Sequence, residues 1–390
     1  LGLSVAYELS AINILEMMHL SHIPLTARER DDKPDEVWDV NAGSWPIVFA
    51  GGPTATSNPE PFAEFLDFIA LGDGEDVLPE IAESLKKSKR AKLTREETLY
   101  RLACDVEGVY APQFYDAPRG WGGAVFPIRE GVPERPRRRV ATPDPMLQVG
   151  LVPYVETIHD RMTIEIRRGC TRGCRFCSPG MLTRPARDVN PELVVQAVEE
   201  GIRKTGYNEF SLLSLSCSDY LALPAVGLEI KNRLKDQNVT LSLPSQRIDR
   251  FDDSIADILG GSGKVGLTFA PEAGTQRLRD IINKGLTNED LLRGVQNAYD
   301  RGWRNVKLYF MIGLPGELDS DVLGIAETLG WLIRTVSRPT GRKKDQLTIT
   351  CTISNFTPKP HTPFQWHTVS TSEFERKSAL LREALKKVKG

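Results

Sequence analysis

Apolar positions along the 390 residues fall into two series with different rhythms. In the first, short apolar runs alternate with amphipathic stretches. This pattern predicts strands at 3–7, 46–50 and 68–71 and helices at 10–20, 61–65 and 77–87. Strands alternating with helices predict a small α/β sheet, assigned to residues 1–110. The opening run Leu1-Gly2-Leu3-Ser4-Val5-Ala6-Tyr7 reads as a strand entered mid-fold, so this domain is expected to be incomplete at its N-terminus. It has neither the basic n-region nor the cleavage pattern of a signal peptide. Two glycine turns follow apolar runs: Gly51-Gly52-Pro53 and Gly72-Asp73-Gly74-Glu75. Glycine there permits positive φ and close approach of a ligand to the backbone. A pair of tight strand-to-helix turns is the simpler reading.

The second series starts at Met162. Strands are predicted at 162–166, 209–216, 239–243, 265–269, 305–312 and 346–353. Helices are predicted at 191–205, 222–234, 253–259, 289–301 and 322–335. Asn190, Pro191 and Gly206 supply the cap, first turn and stop of the first of these helices. Parallel neighbours need crossover helices, so six such units predict a partial (β/α)6 barrel over residues 159–369. Chemistry is then expected at the C-terminal ends of the strands. Residues 111–158, interrupted by prolines such as Pro112, Pro118, Pro127, Pro133, Pro136, Pro143 and Pro145 and by the basic run Arg135, Arg137, Arg138 and Arg139, read as a solvated connector. Residues 370–390 read as a C-terminal helix, centred on 373–389 and expected to be cut short.

Composition narrows the functional classes. Hydrophobic residues make up 40% and charged residues 26%, as in soluble globular proteins. No apolar run is long enough for a membrane span. A net charge of -2 gives no bulk field for nucleic acid, so such a partner is not indicated. Three of the six cysteines fall within eight residues, a spacing that favours a metal centre in a reducing, cytoplasmic setting over a disulfide scaffold.

Those three are Cys170, Cys174 and Cys177, on a loop that begins where the 162–166 strand ends. Thiolates suit zinc or an iron cluster. A structural zinc site wants four ligands, and no second Cys or His pair follows here. Three thiolates instead suit a cubane with one open iron. Gly169 and Gly173 let the loop wrap, and Arg168, Arg172 and Arg175 could offset the charge of a thiolate-ligated cluster, although surface solvation is the simpler role for each.

The run Cys170-Thr171-Arg172-Gly173-Cys174-Arg175-Phe176-Cys177 resembles the Cys-x-x-x-Cys-x-aromatic-Cys signature of the radical S-adenosylmethionine (SAM) superfamily. The resemblance implies a 4Fe–4S cluster whose open iron chelates the amino and carboxylate groups of SAM. One electron then releases a 5′-deoxyadenosyl radical that abstracts hydrogen. It also implies an electron donor such as a flavodoxin or ferredoxin. Phe176 would lie near the adenine. Ser216 and Asp219, where relatives carry Gly-Gly-Glu, would face the SAM amino group. Ser245 and Arg247 would reach the ribose or carboxylate, and Glu272 the ribose hydroxyls or a substrate amine, although Glu272 also suits a helix cap. Gly313 matches a late glycine motif at the adenine, and the proline-rich strap 356–366 would rim the substrate pocket. Cys217 reads as a small buried residue before it reads as a covalent partner.

Across nearly the whole chain the resemblance is to the branch with an N-terminal cobalamin-binding domain. It is carried by Tyr7-Glu8-Leu9-Ser10, Gly51-Gly52-Pro53, Asn58-Pro59-Glu60-Pro61 and Gly72-Asp73-Gly74-Glu75. In that branch Gly51, Gly52, Gly72 and Gly74 would contact cobalamin. The Asp-x-His-x-x-Gly motif of histidine-ligated cobalamin domains is missing. The implied reaction is cobalamin-assisted methyl transfer to an unknown substrate. Radical rearrangement or ring modification is the alternative. Methylthiolation of RNA or protein fits less well, because Cys104 is the only N-terminal cysteine.

Overall fold

The structure is a computed structural model that describes residues 1–118, 123–155, 157, 160–243, 246–259, 266–336 and 346–388. The chain forms two compact units, Leu1–Ala141 and Thr142–Gly390.

The first unit has a four-stranded sheet in the order Gly2–Ser4, Phe49–Gly51, Phe68–Ala70 and Val109–Tyr110. The first three strands are parallel and the last is antiparallel. The opening strand is shorter than expected because only Gly2–Ser4 registers with Phe49–Gly51 before the chain turns into the Ser10–Leu20 helix. The helix expected at 61–65 is replaced by a helix at Pro53–Ser57 and a 3-10 turn at Glu60–Phe62. Proline explains the shift. Pro53 fits a first helical position, while Asn58 is held extended ahead of Pro59. The Arg95–Asp105 helix was not anticipated, although Thr94 and Glu97 form a full capping box at its start. Residues 111–141, read above as part of a connector, pack into this unit. Phe114, Tyr115 and Val132 are buried in its core, and Arg139 forks onto Glu80.

A charge cluster sits inside this small core. Asp67 accepts from Arg30 at 3.3 Å, from Arg95 at 2.8 Å and from the Val48 amide at 2.6 Å. The side chains of Arg30, Asp67 and Arg95 are only 0–5% exposed. The guanidinium groups satisfy themselves further on the carbonyls of Pro24, Leu25, Phe65, Trp45 and Pro46.

In the second unit, all six expected strands form and all neighbours are parallel. They divide into two three-stranded ladders, Thr240–Ser242 / Glu209–Leu213 / Met162–Glu165 and Leu267–Glu272 / Asn305–Ile312 / Thr348–Asn355. Val306, Leu308, Phe310 and Ile312 alternate into the helix-side core, as do Ile164, Phe210 and Leu212. The Pro191–Thr205 helix is bounded as the sequence required, with Asn190 capping Glu192 and Gly206 at φ +74°. A short helix at Gln276–Ile281 was not expected. The C-terminal helix covers Thr371–Leu385 and buries Leu381. Among the described residues, no helix is long and apolar enough to cross a membrane.

Replacing Asp67 with Ala would strand two buried guanidinium groups. The expected cost is about 3–5 kcal/mol. Urea unfolding followed by the fluorescence of Trp38 and Trp45 in the first unit measures it.

Candidate active site

The cysteine loop has almost no regular structure of its own and is shaped by what surrounds it. It is entered through Arg167–Arg168, which pairs antiparallel with Arg187–Asp188. Gly169 follows at φ +84°, and a Cβ there would lie 2.4 Å from the Thr183 carbonyl, so only glycine fits. Cys177 then caps the short Ser178–Leu182 helix, its sulfur accepting from the Gly180 amide at 3.4 Å. The Arg172 amide points at the Cys170 sulfur, also at 3.4 Å. A side chain at Gly180 would come within 3.1 Å of the Cys177 sulfur and 4.0 Å of the Cys170 Cβ.

One turn grips the middle of this loop. The Arg175 amide donates to Ile282 O at 2.9 Å and its guanidinium to Ile281 O at 2.5 Å. The Asn283 amide side chain donates to Gly173 O at 2.8 Å, with Asn283 itself at φ +53°. The turn is steadied by Arg279, a fully buried guanidinium that donates to Leu286 O, Ala273 O and Asn288. Phe176 packs against a satellite core of Ala273, Leu278, Ile282, Leu314 and Phe356, which Phe364 of the strap also joins. Sequence reasoning missed Asn283. The Ile-Asn-Lys-Gly stretch after a short amphipathic run was its signal, since Asn tolerates the left-handed region.

A lattice of ion pairs lies beside the loop. Arg172 forks onto Asp219 at 2.6 and 3.1 Å and reaches Asp249 at 3.7 Å. Arg247 forks onto Asp249 at 2.9 and 3.3 Å, and its amide donates to Ser218 at 3.0 Å. Lys284 pairs with Glu272 at 3.0 Å. Burial opposes the charge on Asp219 most strongly, but the Arg172 guanidinium, the Ser216 hydroxyl and Arg247 together outweigh it and hold the carboxyl below its ordinary value. Burial pushes the Cys174 and Cys177 thiols up. Lys284 opposes this at both, and Arg247 also does so at Cys174. A metal binding these sulfurs therefore has to displace protons.

The expected residues divide accordingly. Asp219, Arg247 and Glu272 do reach the mouth of the barrel, but each already has a partner of opposite charge. Glu272 does not cap the next helix. Thr275 does, and Glu272 sits at φ +70° after a register shift in its strand. Ser216 is buried three residues past its strand, close beside Asp219. Ser245 lies outside the described residues. Gly313 has φ +84°, but its amide is taken by Glu317 at 2.9 Å. Cys217 is fully buried and donates to Leu212 O.

In the first unit the glycine turns are packed by the chain itself. A Cβ on Gly52 would meet Val5 O at 2.9 Å, one on Gly72 Arg139 O at 2.2 Å, and one on Gly51 Ala70 O at 3.4 Å. On Gly74 it would rest 3.4 Å from Leu78. The space beside Gly52 and Gly72 is thus filled by protein, while a Cβ on Gly51 or Gly74 would make an ordinary contact.

The donor set is three soft thiols near a rim of guanidinium and ammonium groups, which fits an iron–sulfur cluster. Among the described residues, no three His, Cys, Asp or Glu side chains are drawn together tightly enough for a single ion. A cluster spreads its ligands over several metal atoms and makes no such demand.

Comparison with known proteins agrees with this chemistry. Residues 1–112 match the family described as radical SAM proteins, N-terminal, and residues 164–329 match the radical SAM superfamily. An uncharacterized protein of Methanocaldococcus jannaschii is 30% identical over 343 residues, which is 87% of this chain and 66% of that protein. The radical SAM methyltransferase TsrM of Kitasatospora setae, solved with cobalamin and a [4Fe-4S] cluster bound, aligns with a TM-score of 0.56 and 16% identity. The alignment covers 82% of this chain and 58% of that one. The cobalamin-dependent SAM radical enzyme OxsB, solved with aqua-cobalamin and SAM, aligns with a TM-score of 0.53 and 17% identity. It covers 99% of this chain and 48% of OxsB. The chain thus spans about two thirds or less of the length of these relatives. Both units match radical SAM families, and most of the chain aligns with a relative at 30% identity: the protein belongs to the radical SAM superfamily and shares its fold with TsrM and OxsB, both solved with a cobalamin bound.

Proposed function

We propose that this chain is the core of a radical SAM enzyme in which Cys170, Cys174 and Cys177 hold a 4Fe–4S cluster, and that its reaction is cobalamin-assisted methyl transfer. The observation that carries the reading is a three-thiol loop clamped at the C-terminal mouth of a parallel βα barrel. When bound, the reduced cluster supplies the electron that cleaves SAM. A flavodoxin or ferredoxin is the proposed source of that electron.

The chain's own residues do the positioning. The two amide-to-sulfur hydrogen bonds at Cys170 and Cys177 stabilise thiolate character. The ion-pair lattice presents both an acid and a base to the amino-acid end of SAM. Asp219 accepts the ammonium group by releasing Arg172, and Arg247 forks onto the carboxylate by releasing Asp249. Exchanging one ion pair for another leaves no buried charge uncompensated. Phe176 and its satellite core wall off one side of the site and exclude water from it. Methyl transfer, rather than rearrangement, is favoured by the fold shared with TsrM, whose solved form is a methyltransferase with cobalamin bound.

Anaerobic reconstitution with iron and sulfide is expected to give a cubane electron paramagnetic resonance signal that shifts when SAM is added. The Cys170, Cys174 and Cys177 triple Ala variant should lose both signal and shift. Turnover with labelled SAM should yield S-adenosylhomocysteine together with 5′-deoxyadenosine. Deoxyadenosine alone would replace methyl transfer with rearrangement. No cubane signal in the intact chain would end the cluster assignment.

The clamp on the loop gives a second expectation. Asn283→Gly keeps the left-handed backbone and removes only the bond to Gly173 O. Cluster iron should escape to a chelator about three- to tenfold faster, the scale of one hydrogen bond. Iron release is followed by absorbance, while far-ultraviolet circular dichroism shows that the fold is retained.

A further inference from the structure

The barrel strands have a second face, and its chemistry is unlike that of a filled barrel. Val306, Leu308, Phe310 and Ile312 point to the helix side, so Lys307, Tyr309 and Met311 point the other way. By the same alternation, Ile349, Cys351 and Ile353 pack on the helix-side core, leaving Thr350, Thr352 and Ser354 opposite. Leu267 and Phe269 leave Thr268 there. The register then sets Thr268, Lys307 and Thr350 side by side in one row. Tyr309 with Thr352 and Met311 with Ser354 follow toward the mouth. In the other ladder, Thr163, Ser211 and Ser242 form a matching row, with Leu213 above it.

Closed barrels of this type fill their interior with Val, Ile and Leu. Here the row holds hydroxyls around one ammonium group. Lys307 is exposed, and no carboxylate among the described residues pairs with it. A lysine between two threonines offers a point charge and two hydroxyl donors, which suits an oxyanion. Toward the mouth the lining turns apolar, through Tyr309, Met311, Leu213 and Leu215, all at least partly accessible. Met311 lies four residues beyond Lys307 along the strand, a rise of about 13 Å.

We propose that this face binds the substrate, and that the substrate is an elongated organic anion. Its phosphate or carboxylate sits on Lys307 between Thr268 and Thr350, and its less polar end extends toward the cysteine loop. The inference deepens the radical SAM reading and rests on it for the reaction, although the anion site can be tested separately.

The test uses the reconstituted holoenzyme saturated with SAM, so that cluster iron is covered. Inorganic pyrophosphate and succinate are titrated by calorimetry into the wild type, Lys307→Met and Lys307→Arg. At least one probe is expected to bind the wild type. Lys307→Met should weaken it roughly tenfold or more, and Lys307→Arg should retain it. The stronger probe distinguishes phosphate from carboxylate. Equal binding to Lys307→Met, or no binding of either probe to the wild type, overturns the proposal. The cluster spectrum of the same sample reports independently on the radical SAM reading. A thermal melt confirms that the variants are folded.

Discussion

The cysteine loop has to hold three thiols in a fixed arrangement with almost no hydrogen-bond ladder of its own. Its geometry is imposed from outside, by hydrogen bonds to the main chain on either side of Cys174. Asn283 holds Gly173 O, and the Ile281 and Ile282 carbonyls hold Arg175. Arg184 adds a bond to the Arg172 carbonyl at 3.2 Å. A loop fixed in this way loses little further entropy when it takes up a cluster, so binding energy is not consumed in ordering it.

That clamp depends on a buried cation without a carboxylate. Arg279 is fully buried and spends its donors on carbonyl and amide oxygens of the 273–288 segment. Burial lowers its affinity for the proton without neutralising a guanidinium. The first unit uses a related device, in which Asp67 is shared by Arg30 and Arg95 and carbonyls take the remaining donors. Arg279 ties together one turn, and Asp67 ties together segments distant in the chain; in both places losing one partner is costly because the other stays buried.

The mouth of the barrel carries acids and bases whose charges already compensate one another. Arg172 favours the ionised form of Asp219, and Arg247 is paired with Asp249. Glu272 stands apart, because its left-handed backbone stores strain of about 1–3 kcal/mol beside the site. Its pairing with Lys284 brings an ammonium group near Cys174, where it counters the effect of burial on the thiol.

The sequence by itself determined what is local. Alternation and capping residues placed the Asn305–Ile312 strand and the Pro191–Thr205 helix, and three thiols at fixed spacing named the chemistry. Signals set by neighbours in space were not legible. Pro53 outcompeted the 61–65 run for the helix, 111–141 joined the first unit through side chains that a proline count ignores, and the Asn283 clamp spans 110 residues of chain. The glycine turns were recognisable as turns, but only packing revealed that Val5 and Arg139 fill the space beside Gly52 and Gly72. Likewise, charge type marked Asp219 and Arg247 as candidate site residues, whereas tertiary structure alone decided their present partners. The reason is physical. Periodicity and ligand spacing are written in neighbouring residues, while hydrogen bonds and ion pairs between distant segments exist only once the chain has closed on itself.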